Sequence, residues 1–183
     1  HTYDAINQMT GRRYPDGSRV TFAFDSIGSR TKMHDATGRY TSTFDALNRA
    51  RTVTNPAAKR VTYAYDALGQ RAAMIDPDGG QFTYSYNAAG QLTWLKNPQV
   101  DRTTFSYDNA GRRTVKRLAN GTRASFIYDA ADRLTRLANI KSTGATISSF
   151  DYKCDDVGNR TRVVESNGDR VTWVYDATYQ LTA

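Results

Sequence analysis

An aromatic-Asp step that returns about every 21 residues constrains this chain more than any other feature. The leading aromatics are Tyr3, Phe24, Phe44, Tyr65, Tyr86, Tyr107 and Tyr128, then a position held by Cys154, then Tyr175; the spacings are 21, 20, 21, 21, 21, 21, 26 and 21. The acids directly behind them include Asp4, Asp25, Asp45, Asp66, Asp108, Asp129 and Asp176. A period held through all 183 residues means that one supersecondary unit has been copied and stacked. The chain is therefore read as one array of nine units, spanning residues 1–183. Because it opens at His1, two residues before a repeat heading, it is expected to be a piece of a longer array.

Each unit opens on an alternation. Val61, Tyr63 and Tyr65 share one face while Arg60, Thr62 and Ala64 share the other, the period of two of a β-strand. The pattern returns as Val20, Phe22 and Phe24, as Phe82, Tyr84 and Tyr86, and as Val171, Trp173 and Tyr175. Four residues after each heading aromatic stand Asn7, Gly28, Asn48, Gly69, Gly90, Gly111, Asp132, Gly158 and Tyr179. All but Tyr179 are residue types that tolerate positive φ, as a tight hairpin turn demands. The Asp of each heading is expected to accept backbone N–H bonds within that turn. At Tyr179 the last unit is expected to be frayed, partnered elsewhere or unable to form the turn.

A second strand follows, with Thr10, Thr31, Thr93, Thr114, Thr135, Thr161 and Thr182 in equivalent places, and stacking would align them into a threonine ladder. Second turns come next, among them Asp76-Pro77-Asp78-Gly79, Asn55-Pro56, Asn97-Pro98 and Asn120-Gly121, with Pro setting φ and Gly or Asn supplying its reversal. The result is an all-β, antiparallel hairpin array of 17 or 18 strands. Accumulated twist is expected to curl so long a sheet into an arc or spiral with the aromatic row inside as its chief stabiliser. The long spacing of 26 is expected to come from a lengthened turn around Asn139 to Thr146.

The repeat now has a likeness. Tyr65-Asp66-Ala67-Leu68-Gly69-Gln70-Arg71, Tyr107-Asp108-Asn109-Ala110-Gly111-Arg112-Arg113-Thr114 and Tyr128-Asp129-Ala130-Ala131-Asp132-Arg133-Leu134-Thr135 resemble the YD repeat of the RHS family, the bacterial polymorphic-toxin shells. That family has relatives in insecticidal toxin complexes and in animal teneurins. The resemblance covers essentially the whole chain. It implies a long sheet spiralling into a hollow shell that encloses a toxin domain or supports cell-surface recognition, and it implies secretion or surface display in bacteria. The family's C-terminal cap, with its aspartyl self-cleavage site, has no counterpart before Leu181-Thr182-Ala183, so no catalytic residue is carried over.

Catalytic signals are poor. The histidines are His1 and His34, and no zinc-protease, nucleophile-elbow or phosphate-loop motif occurs. Asp155-Asp156 point to opposite faces of a strand, and Asp76-Pro77-Asp78-Gly79 lacks the ligand count for calcium, so neither a metal nor a cofactor is expected. The lone Cys154 is read as a small apolar substitute for an aromatic. No stretch approaches the length of a membrane helix, and membrane insertion is not expected. The net charge of +7 permits contact with nucleic acid, anionic glycan or lipid headgroups, but Arg recurs with the repeat, beside an Asp in most units, as a salt-laced polar face would require.

The expected function is accordingly a non-enzymatic scaffold, whose partners are neighbouring repeats of the same or an identical chain, associated end to end. The alternative is a module adhering to cell-surface glycans, for which Trp94 and Lys141 are the candidate binding residues; nucleic-acid binding is a weaker third.

Overall fold

The computed structural model describes residues 1–182, and all of them lie in strands, turns and short connections. The strands are β1 (Thr2–Tyr3), β2 (Met9–Arg13), β3 (Arg19–Phe24), β4 (Arg30–Asp35), β5 (Gly38–Phe44), β6 (Ala50–Thr54), β7 (Arg60–Tyr65), β8 (Arg71–Ile75), β9 (Gln81–Tyr86), β10 (Leu92–Lys96), β11 (Arg102–Tyr107), β12 (Arg113–Arg117), β13 (Arg123–Tyr128), β14 (Leu134–Ile140), β15 (Thr146–Cys154), β16 (Arg160–Glu165) and β17 (Arg170–Thr172). The chain forms two compact units, His1–Tyr84 and Ser85–Ala183. In each, consecutive strands pair antiparallel as a meander, which is the all-β hairpin array that the repeat predicts.

Every heading turn has one geometry. Asp25 N–H donates to the Ser29 carbonyl at 2.9 Å and Gly28 N–H to the Asp25 carbonyl at 3.1 Å, a type I turn closed by a left-handed residue. All nine residues at that position have positive φ, including Tyr179 at 63°, and the last turn closes through Tyr179 N–H on the Asp176 carbonyl at 3.0 Å. The expected failure at Tyr179 therefore does not occur; the surrounding hydrogen bonds impose the conformation on a residue that does not favour it. The second turns, apart from the two-residue turn between Asp35 and Gly38, repeat the same closure with unforeseen residues, for Ala58 (φ 58°) and Val100 (φ 71°) hold the left-handed position after Pro56 and Pro98.

Register corrects the threonine ladder. Ala23 pairs with Lys32 and Phe24 with Arg30, so Thr31 is the extra residue of a β-bulge. Thr135 and Thr161 occupy the same place in their hairpins. Instead of meeting one another, these hydroxyls donate across the hairpin to the backbone: Thr31 to the Ala23 carbonyl at 3.2 Å, Thr135 to Ile127 at 3.1 Å and Thr161 to Lys153 at 3.1 Å. A bulge leaves ladder groups unpaired, and the hydroxyl fills that vacancy.

The long spacing also resolves differently from expectation. The turn after β14 is of ordinary size, closed by Lys141 N–H on the Ala145 carbonyl and Gly144 N–H on the Lys141 carbonyl. The additional residues lengthen the strands, β14 to 7 and β15 to 9 residues. Ala138 and Ser149 face each other in this hairpin and, with Val163, are among the few buried residues.

The aromatic row is half-buried rather than enclosed. Phe22, Phe24, Tyr63, Tyr65, Phe105, Tyr107 and Phe126 all retain intermediate exposure. Each unit is a single layer, so no second sheet covers its rings among the described residues. Arginines cover them instead: Arg71 lies 4.8 Å from the Tyr63 ring centroid, Arg113 4.9 Å from Phe126 and Arg160 4.0 Å from Tyr152. An exposed pair of this kind contributes about 0.5–1 kcal/mol.

Candidate functional site

The repeat residues converge on the heading turn. The Asp66 carboxylate accepts the N–H groups of Leu68 at 2.9 Å and Gln70 at 2.8 Å, and Asp4, Asp25, Asp45, Asp108 and Asp129 make the same pair of bonds in their own turns. Asn87 fills the role where Asp is missing, through its side-chain oxygen to Ala89 and Gln91 N–H. The Asp45 carboxyl is held below the usual range, first by the Arg49 backbone N–H and then by its guanidinium; Asp129 is held down the same way by Arg133. At Asp108 partial desolvation pushes the other way and is outweighed by the Arg112 side chain and backbone.

The turn also reaches the next unit. Gln91 Nε2 donates to the Gly111 carbonyl at 3.0 Å, Arg112 Nη1 to the Asp129 carbonyl at 2.8 Å and to Asp132 Oδ1 at 2.7 Å, and Arg133 Nη1 to the Asp155 carbonyl at 2.6 Å. Gly28 and Gly111 thus serve two demands. Each has positive φ, and an added Cβ would stand 2.8 Å from Gln8 Nε2 at Gly28 and 3.0 Å from Gln91 Nε2 at Gly111.

The heading tyrosine makes the second inter-unit link. Tyr65 Oη donates to the Ala50 carbonyl at 2.9 Å, Tyr107 to Leu92 at 2.9 Å, Tyr128 to Arg113 at 3.1 Å and Tyr175 to Arg160 at 3.0 Å. Each acceptor lies 15 residues back, on the second strand of the preceding unit. A fixed Tyr-to-carbonyl offset has no residue signature at the acceptor, because any carbonyl serves, and sequence reasoning missed it for that reason.

Of the two candidate binding residues, Trp94 lies on β10, half-buried, with the Arg102 guanidinium 4.8 Å from its ring centroid. Lys141 is exposed in the turn between β14 and β15. Strands β11 to β14 separate them, so the structure does not bring them together. Among the described residues no cluster of His, Cys, Asp and Glu is placed to hold a metal. No helix is long and apolar enough to cross a membrane.

Charge is sorted by surface. The carboxylates sit in the turns almost without exception, whereas the face opposite the aromatic row carries most of the cations. The sequence expectation of arginines paired with aspartates holds at Arg49, Arg112 and Arg133, which are turn residues, and on the strands at Arg136, which pairs with Asp151. In Ser85–Ala183 the strand face opposite the aromatics presents Lys96, Arg102, Arg117, Arg123, Arg136, Lys153, Arg162 and Arg170 against one carboxylate, Asp151. Thr104, Ser106 and Ser125 lie between them. The heading-turn tips of the first unit expose another surface, of Ile6, Ile27, Leu47 and Leu68, each about 70% exposed or more.

A sheet whose distinctive side chains bind each unit to the next defines a class of structural repeat protein, a wall built of hairpins. The comparisons with known proteins place it further. The teneurin YD-shell family model matches residues 72–183, more than half of the chain, and the RHS repeat model matches residues 44–81. The chain belongs to the teneurin YD-shell family, as the resemblance in its sequence implies. It is similar in fold to the crystal structure of TcdB2-TccC3-TEV, with a TM-score of 0.77 at 16% identity, covering 93% of this chain and 11% of that one. The Tc holotoxin pore of Photorhabdus luminescens is also similar, with a TM-score of 0.59 at 16% identity, covering 96% of this chain and 13% of that one. The chain therefore spans little more than a tenth of the length of those proteins. No curated protein matches the sequence.

Proposed function

We propose that this chain is a stretch of non-catalytic wall in a bacterial secreted or cell-surface shell, whose lumen in the full-length protein holds a toxin domain. The observation that carries the reading is the use made of the repeat: the recurring Tyr, Asp, Gly and Arg positions hydrogen-bond their own turn or an adjacent unit. A chain that commits its recurrent polar groups to self-assembly has the chemistry of a wall. The partners of such a wall are further repeats of the same chain, and the exposed Ile6, Ile27, Leu47 and Leu68 tips provide an apolar edge against which another stretch of hairpins would seat.

Electron microscopy and protease protection of the full-length gene product in which this sequence occurs test the reading. The expected result is a closed hollow particle that shields an internal segment from added protease. Extended fibres with every segment open to cleavage would overturn the shell and leave a rod.

A further inference from the structure

On the face opposite the aromatic row, Lys96 stands directly across from Arg102, and Arg117 directly across from Arg123. Thr104 pairs with Arg117, which sets Arg102 and Arg117 on a diagonal of the same face. The four cations thus form one unbroken row across β10, β11, β12 and β13, about 14 Å long at the usual strand spacing. Like charges facing each other across a ladder destabilise a sheet. Among the described residues none of the four has a carboxylate within ion-pair distance; the ion pair on this face is Arg136 with Asp151, at 3.2 Å. The nearest acid in the chain, Asp101, lies in the adjoining turn, where its N–H donates to the Asn97 side chain. Arg102 and Arg117 are exposed, and Lys96 and Arg123 half-exposed.

We propose that this row is a binding surface for a linear sulfated polysaccharide. Regularly spaced anionic groups along a chain would relieve the repulsion within each facing pair, and the flanking Thr104, Ser106 and Ser125 hydroxyls suit sulfate and sugar oxygens. Guanidinium groups match a tetrahedral oxyanion through paired N–H donors. The row is carried by strand residues rather than by a helix that could enter a duplex groove, and its one nearby ring, Trp94, is covered by Arg102, so it offers no platform for stacked bases. Those features favour a sugar polyanion over nucleic acid.

Heparin is the probe. Calorimetric titration at physiological salt compares the wild-type chain, the Lys96→Ser/Arg117→Ser/Arg123→Ser variant, and a charge-matched control, Arg39→Ser/Arg51→Ser/Lys59→Ser, whose three cations lie off the row. Removal of the row is expected to weaken heparin binding about tenfold or more while the control stays within about threefold of wild type, since screened surface charges act locally. Equal loss in both variants, no binding by the wild type, or polydeoxythymidine binding as tightly as heparin would each overturn the proposal. Should the row variant fail to fold, phenylglyoxal modification of wild-type Arg117 and Arg123, read by mass spectrometry, decides the matter: heparin is expected to slow it, and an unchanged rate overturns the assignment.

Discussion

One aspartate in every heading turn but that of Asn87 acts as a small template. Its carboxylate satisfies two N–H groups that the turn turns away from any strand, and in several units its second oxygen takes the guanidinium of the residue four positions on. Asn87 shows that the amide oxygen is sufficient for the backbone part of this task. Asp129→Asn is therefore expected to lower the melting temperature much less than Asp129→Ala, which removes both acceptors, in a circular-dichroism melt. The carboxyls of Asp45, Asp129 and Asp176 are depressed, chiefly by the backbone N–H groups of Arg49, Arg133 and Gln180. A depressed carboxyl contributes stability that is complete above the unfolded value, about pH 4, and is lost as pH falls through the folded value. Melting temperature is thus expected to drop below about pH 4, and a variant carrying Asn at all three positions to show a shallower drop. At the tyrosines, Tyr107→Phe deletes the bond to the Leu92 carbonyl and is expected to cost about 1 kcal/mol, or about 2–4 °C in melting temperature.

The hairpin, the next scale up, shows which parts of the fold were legible in the residues. Strand faces and heading turns could be read because alternation and positive φ act through side-chain type, and the positions of Gly28, Gly69, Gly90, Gly111 and Gly158 all adopt the predicted backbone. The bulge could not be read, because Thr31 sits in an uninterrupted run of strand-forming residues and its displacement is decided by the partner strand. The inter-unit links of Arg112 and Arg133 escaped for a similar reason: an Arg beside an Asp reads as a local pair, and only the stacked turn reveals a second acceptor. Burial was overestimated, since alternation reports which face a ring occupies and says nothing of what covers it. Val100 marks the reverse case, a β-branched residue held at φ 71°. Left-handed backbone costs a β-branched residue about 1–2 kcal/mol, so Val100→Asn is expected to raise the melting temperature by a few degrees. A lower melting temperature would show that the exposed valine side chain makes a compensating contact.

For the whole molecule, stability is a sum of like units and like interfaces. Deletion of residues 108–128 joins Tyr107 to Asp129 in phase and leaves every remaining strand on its own face. Such a variant is expected to melt cooperatively close to the wild-type temperature, with a denaturant m-value lower by about a ninth. Deletion of residues 108–118 removes a single strand, so each strand that follows runs in the opposite direction and its heading turn falls on the other edge of the sheet, away from the turns that precede the deletion. That deletion is expected to weaken cooperative melting. Far-UV circular dichroism with urea titration distinguishes the two.

The tyrosine hydroxyl that reaches back 15 residues has a consequence for heredity. Its acceptor is a bare carbonyl, so a newly joined neighbour is accepted whatever its side chains. A gene of this kind gains or loses twenty-one codons by crossing-over between its own repeats without breaking the bond that links adjacent units, and the number of units becomes a trait that recombination adjusts while point mutation leaves the joint intact.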